Sequence, residues 1–383
     1  MGSSRLFGLN GRRAFLHSEK ENLEIELAME AFDYILTISK VILILVGVIQ
    51  VVPIMIYVER KVAALIQDRP GPNRVGPLGL FQPIADAVKF LFKEDPIPLN
   101  TNRFLYTLAP FLSLLPACLV IAALPIADKA ILFGREIYIQ ITDLDVSLIY
   151  ILAIGSLGVY GILFGGWASN NKYSLIGSLR SASQMVSYEL PLGLAVVGTV
   201  MVYGTFSLRE MVLQQEGTFL GFLPNWGIFY QPLGFLVFLV ASFAETNRLP
   251  FDLPETEAEL VAGFHTEYGS MKFATFFMAE YMNLATMAGL MTVMYFGGWH
   301  LPWVKDSQLL EWLGSQNLLC IVQITTYIVK VAFFLFLYVL IRWTLPRFRF
   351  DQLMELSWGS LIPLGLINIL LSAVIMYFAG GKV

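Results

Sequence analysis

The sequence is poor in the residues that hold metals or form disulfides. It carries 2 cysteines and 3 histidines among 383 residues. Cys118 and Cys320 lie far apart in apolar runs, and there is no CxxC and no cysteine quartet. His17, His265 and His300 are scattered through polar segments. This leaves no ligand set for an iron–sulfur cluster or a bis-histidine haem, and no metal site is expected. GxGxxG, Walker and GxSxG patterns are missing too, so neither a nucleotide cradle nor a serine nucleophile is signalled. Charged residues make up only 14 % of the chain, and no basic cluster could track a phosphate backbone. That argues against nucleic acid as a partner. The first 33 residues have no apolar core segment of the secretory kind, and their six acids and four bases read as a solvated tail.

Apolar residues are abundant. They make up 56 % of the chain, and mean hydropathy is +0.67. Those values indicate an all-α polytopic membrane protein. A membrane span needs about 20 mostly apolar residues. Runs at 34–57, 104–127, 146–168, 184–203, 273–297, 318–343 and 361–379 meet that need. An eighth, 232–246, is short and holds Glu245 near its end. Short spans occur where backbone lines a polar cavity. The expectation is one membrane domain of eight transmembrane helices after a polar tail at 1–33. Fourteen basic residues fall in the loops after spans one, three, five and seven, against nine on the other side with the tail included. The excess places those odd-numbered loops in the cytoplasm and both termini on the outer side.

The first such loop has two parts. Residues 67–77 are rich in proline and glycine and should form a stiff turn. Gly79 to Glu94 reads as an amphipathic helix on the cytoplasmic side. Leu80, Phe81, Ile84, Val88, Leu91 and Phe92 share one stripe, and Gln82, Asp86, Lys89 and Lys93 the other. Ser169 to Ser183 reads as a short polar loop, and Phe133 to Ile141 alternates as a hairpin would.

Several charges sit where lipid is the expected surrounding. Glu189 falls inside span four, just before Pro191, which should loosen the helix there. Glu245 closes span five, Glu280 lies inside span six, Lys40 inside span one and Lys330 in the middle of span seven. Between spans five and six, Asp252, Glu255, Glu257, Glu259 and Glu267 crowd one loop. Ionisable groups persist at such places only when protein or water shelters them. Grouped carboxylates titrate together, so a bound ligand that reorders the loop must change proton occupancy. A plainer reading, ion pairs that only fix helix packing, competes with this one. A cation cage is weaker, since His265 is the only histidine near the loop acids.

GLFQPIADAVKFLFKE at Gly79–Glu94 and PFDLPETEAELV at Pro250–Val261 resemble the two signatures of a family of membrane subunits of NADH–quinone oxidoreductase, respiratory complex I. That family contains the bacterial H subunit and its mitochondrial counterpart, subunit 1. Glu59-Arg60-Lys61, residues 71–76, Ser187-Tyr188-Glu189, residues 244–248 and residues 346–353 are similar as well. The resemblance implies a bacterial inner-membrane subunit that anchors the peripheral arm and lines most of a quinone tunnel. It implies tunnel roles for Arg60, Arg69, Asp86, Lys89, Arg248 and Phe251. It implies a proton relay of Glu189, Glu245, Asp252, Glu255, Glu257, Glu259, Glu267 and Glu280. Arg74, Arg180, Arg347, Arg349 and Asp351 are the expected arm contacts or charge partners. Quinone is then the substrate, and NADH, FMN and iron–sulfur clusters belong to partner subunits. Homologous subunits of plastoquinone-, F420- or hydrogenase-linked complexes are the near alternative, although Asn73-Arg74 and Thr246-Asn247 look respiratory. A free-standing secondary transporter is the distant alternative, and it should show inverted repeats; none is visible.

Overall fold

Among the described residues, six helices are long and apolar enough to cross a membrane by length and composition: Tyr34–Ile66, Arg103–Ala123, Ser147–Ala168, Lys172–Tyr203, Gln316–Thr344 and Phe350–Tyr377. The architecture is that of a helical, multi-pass membrane protein. The computed structural model describes residues 34–132, 134–219, 221–254 and 257–378. The expected tail at 1–33, Phe133, Glu255 and the end of the last run at Ala379 lie outside them.

Contacts divide the chain into residues 1–46 and 47–383. Within the second unit, α1 (Val51–Ile66) leads to a 3-10 turn at Pro77–Gly79 and then α2 (Gln82–Phe92). The surface helix therefore starts three residues later than the stripe pattern suggests. Gly79 has φ +80°, and a Cβ there would lie 2.3 Å from the Pro72 carbonyl oxygen, so the 67–77 turn folds tightly back on itself. α3 (Arg103–Val120), α4 (Ser147–Ser156), α5 (Gly158–Ala168) and α6 (Lys172–Tyr203) follow. Between α3 and α4, strands β1 (Lys129–Leu132) and β2 (Arg135–Tyr138) pair antiparallel, Lys129 opposite Tyr138. The hairpin thus begins four residues before the alternating stretch that signals it.

α7 (Leu208–Gln214), a small ribbon of β3 (Thr218–Phe219) with β4 (Leu223–Pro224), and α8 (Gly227–Tyr230) lead into α9 (Pro232–Glu245). The acidic loop holds one short turn of helix, α10 (Glu257–Leu260), and a 3-10 turn at Gly263–His265. α11 (Ser270–Tyr295), α12 (Asp306–Leu313) and α13 (Gln316–Thr344) come next. The chain closes with α14 (Phe350–Glu355), a π segment Leu356–Leu361 and α15 (Ile362–Phe378).

α6 is the hub, packed by α5, α9 and α15, while α3 packs on α5 and α11. Small residues permit this closeness, as is common between membrane helices. A Cβ on Gly161 would sit 2.5 Å from the Ser113 nitrogen of α3, and one on Gly166 2.2 Å from the Ser178 hydroxyl of α6. The stretch Ser169–Ser183, expected as a polar loop, is mostly the first turns of α6. Asn171 caps it by accepting from the Tyr173 N–H at 3.0 Å. Ser174, Ser178 and Ser181 are fully buried against neighbours instead of facing water.

At Pro110 and Pro191, inside helices, another segment answers the carbonyl that the proline leaves open, and the helix continues. Pro191 cannot donate to the Ser187 carbonyl one turn back; the Ser357 hydroxyl does so at 2.8 Å. α6 runs unbroken past Glu189, contrary to the loosening expected there. Pro110 likewise leaves the Tyr106 carbonyl to the Tyr268 hydroxyl at 3.2 Å. Burial raises the Tyr268 phenol above its usual range, so it stays a donor. The two tyrosine rings stack at 4.2 Å.

Candidate functional site

A cavity of about 870 Å³ lies between α1, α2 and α11. Its walls are mostly apolar and include Val52, Ile56, Phe90, Phe277 and Met278. Arg60, Arg69 and Asp86 border it, and Arg60 pairs with Asp86 at 2.5 Å across α1 and α2. α2 therefore turns part of its polar side, Gln82 and Asp86, toward the cavity. Its apolar stripe, Ile84, Val88, Leu91 and Phe92, is exposed. Lys89 is exposed, its ammonium 5.4 Å from the Phe90 ring centre, and does not line the cavity.

Glu59, Tyr281 and Arg342 also line the cavity, and they meet in a buried ionic junction. Glu59 pairs with Arg342 and, at 3.4 Å, with Arg248. The Tyr281 hydroxyl donates to Glu59 at 2.7 Å. Arg248 lies over the Tyr281 ring, 4.1 Å from its centre, and pairs through Nε with Glu280. Two carboxylates and two guanidiniums balance, which makes the burial of Glu59 and Arg248 and the partial burial of Glu280 and Arg342 tolerable. Four segments contribute: α1, the loop after α9, α11 and α13. Arg248 thus sits one residue behind the cavity wall.

Beyond the junction lie two voids of about 40 Å³ each. Glu280 and Glu245 line the first; Glu245 and Glu189 line the second; Asn283 borders both. Each is large enough for a water molecule. Glu245 Oε2 and Glu189 Oε1 have no hydrogen-bond partner among the described residues. Three carboxylates from α6, α9 and α11 are thereby strung along one line of small voids that starts at the junction.

The loop acids whose side chains are described do not gather into one cluster. Asp252 pairs with Arg347 at 2.8 Å, Glu259 with Arg180 at 2.6 Å, and Glu267 accepts from the Asn171 amide at 2.7 Å. Each of these three is taken up by a different partner. Glu257 lies on α10, but its side chain is outside the described residues. Phe251 stacks on Phe348 at 5.4 Å and packs near Tyr188, away from the cavity. Arg349 and Asp351 pair at 2.9 Å on the surface, and Arg74 is exposed.

Tyr281, Asn283 and Arg342 are site residues that the sequence pattern does not single out, and Glu59 enters it only within the Glu59-Arg60-Lys61 match, with no role attached. Glu59 falls just past the apolar run at 34–57 and resembles the start of a loop, yet α1 continues to Ile66 and buries it. Asn283 is detectable, since it follows Glu280 by three residues and so shares its helix face.

Fold and site together define a multi-pass membrane protein with an apolar chamber that ends at a buried charge junction. The chain belongs to the NADH dehydrogenase family, whose profile matches residues 39–373. It is 43 % identical over 381 residues to the H subunit of NADH-quinone oxidoreductase from Bdellovibrio bacteriovorus, covering 92 % of this chain and 99 % of that one. It is 48 % identical over 323 residues to H subunit 1 of the same enzyme from Cytophaga hutchinsonii, covering 84 % and 91 %. With H subunit 1 from Geobacter metallireducens it shares 44 % over 346 residues, covering 90 % and 98 %.

Proposed function

We propose that the chain is the membrane subunit of a proton-pumping NADH–quinone oxidoreductase that receives quinone and passes its reduction on as proton movement. One observation carries this reading. An apolar chamber opens onto the Glu59–Arg248–Arg342–Glu280 junction, and the junction continues into voids lined by Glu245 and Glu189. A long isoprenoid tail needs an apolar passage with few polar contacts, and the chamber meets that need. The polar headgroup, or the charge it gains on reduction, perturbs the junction. Arg248 then shifts its hold between Glu59 and Glu280, and the carboxylates behind it exchange protons.

In this reading α9 and α11 also cross the membrane, giving eight spans. α11, with 26 residues, is about 39 Å long, enough for a hydrocarbon core of about 30 Å. α9, with 14 residues, is only about 21 Å and completes its crossing through the polar segment after it. α2 lies in the cytoplasmic interface with its exposed apolar stripe in lipid. The loops after spans one, three, five and seven face the cytoplasm of a bacterial inner membrane, where peripheral subunits carrying NADH, FMN and iron–sulfur clusters cover them. Both termini are outside.

The test is Asp86→Ala, which removes the partner of Arg60 at the chamber wall. In assembled complex it raises the apparent KM for quinone while electron flow from NADH to ferricyanide stays as in the parent. Equal loss of both activities with normal assembly would count against the chamber as the quinone path.

A further inference from the structure

Lys330 is a basic residue in the middle of a membrane span, and nothing in the quinone or relay reading uses it. It stands on α13 opposite the place where α11 ends. That end is irregular. Gly297 and Gly298 take φ +69° and +50°, and the chain turns back as Trp299 is buried. A helix end inside a membrane must still satisfy its last carbonyls. The Gln215 amide donates to Val293 O at 2.7 Å and accepts from the Gly297 N–H at 2.9 Å. Lys330 serves the carbonyls of the turn just beyond that end. Its ammonium donates to the carbonyl oxygens of Phe296 at 2.7 Å, Gly298 at 3.0 Å and His300 at 2.6 Å. An ammonium has three donors, and all three are used. The Trp226 ring lies 4.8 Å from the nitrogen and adds a π face. Nearby, the carboxylate of Asp306 accepts from the Gln323 amide at 2.8 Å and lies 3.2 Å from the His300 ring nitrogen.

We propose that the carbonyl oxygens of Phe296, Gly298 and His300 form an internal cation site whose occupant is the chain's own Lys330 ammonium, and that this plug sets the axial position of α11 against α13. Three converging carbonyls at a helix C-terminus, with a ring beside them, suit a small cation. The nitrogen binds there on a tether from α13. The consequence reaches the ionic junction. α11 carries Glu280 and Tyr281, and α13 carries Arg342, twelve residues or about 18 Å along from Lys330. The plug fixes the two helices at one end, and the Glu59 contacts read their register at the other. Lys330 is a positioning residue.

The experiment uses the whole complex. Lys330→Met keeps the apolar stem and removes the cation; the carbonyls lose charge-assisted hydrogen bonds, and assembled, quinone-reducing complex falls by about tenfold. Lys330→Ala empties the cage for a small guest. Methylammonium, which brings three N–H donors, restores its thermal midpoint and quinone reduction, whereas tetramethylammonium, with the same charge and no donor, does not. If Lys330→Ala does not accumulate, blue-native gels of cells grown with each ion give the same comparison. Parent-like behaviour of Lys330→Met overturns the proposal, as does a defect in Lys330→Ala that both ions or neither relieve.

Discussion

Arg248 is the residue on which the site turns, since it holds Glu59 at one end of its guanidinium and Glu280 at the other. Removing one member of a buried ion pair leaves an uncompensated charge and costs about 3–5 kcal/mol, whereas removing both partners costs far less. Arg342→Gln should therefore cut the amount of stable complex sharply, because Glu59 keeps its burial and loses a partner. Glu59→Gln placed with it should recover most of that loss. Thermal midpoints of the purified single and double variants measure this. A double variant no better than Arg342→Gln would show that the pair is not coupled. The Lys129–Glu136 pair on the β1–β2 hairpin is the internal contrast: Glu136→Gln should change the midpoint little, because water and salt screen an exposed pair.

At the scale of helices, stability rests on close approach and on foreign donors to proline-orphaned carbonyls. Gly161→Ala would force a methyl group to within 2.5 Å of the α3 backbone, and overpacking of this sort costs about 1–3 kcal/mol. Ser357→Ala removes the donor that serves the Ser187 carbonyl beside Pro191 and should cost about 1–2 kcal/mol. Both are read as shifts in the thermal midpoint of assembled complex; no shift in either would contradict the packing described. The same physics explains what the sequence could and could not reveal. Apolar runs locate most helices, because hydropathy reports lipid contact. It is blind to polar residues that face protein. The serines at the start of α6 are buried at Gly166 and the 263–265 turn, so a helix has the composition of a loop. Glu59 is hidden in the same way. The family resemblance points to Asp86, Glu245 and Glu280, which border the chamber or the voids behind it. The density of acids in the sequence suggests one cluster, where the fold sends each described loop acid to its own partner.

For the whole molecule, the eight-span arrangement we propose would put the chamber on the cytoplasmic side and the β1–β2 hairpin on the other. Single cysteines at Asn170 and Gln214, both exposed, in a background lacking Cys118 and Cys320, should label from opposite faces of sealed vesicles. Labelling from one face would reject the eight-span topology. Coupling itself requires that proton exchange among the α6, α9 and α11 carboxylates follow quinone reduction. Glu245→Gln is the decisive variant: the amide keeps the size of the side chain at the wall shared by both voids and removes its titration. Proton pumping and quinone reduction are to be measured on the same membranes, with ferricyanide reduction and blue-native gels as controls. The expected outcome is a fully assembled complex that still passes electrons to ferricyanide, with quinone reduction and pumping lowered together. Full pumping and full quinone reduction in Glu245→Gln would contradict a relay through these carboxylates.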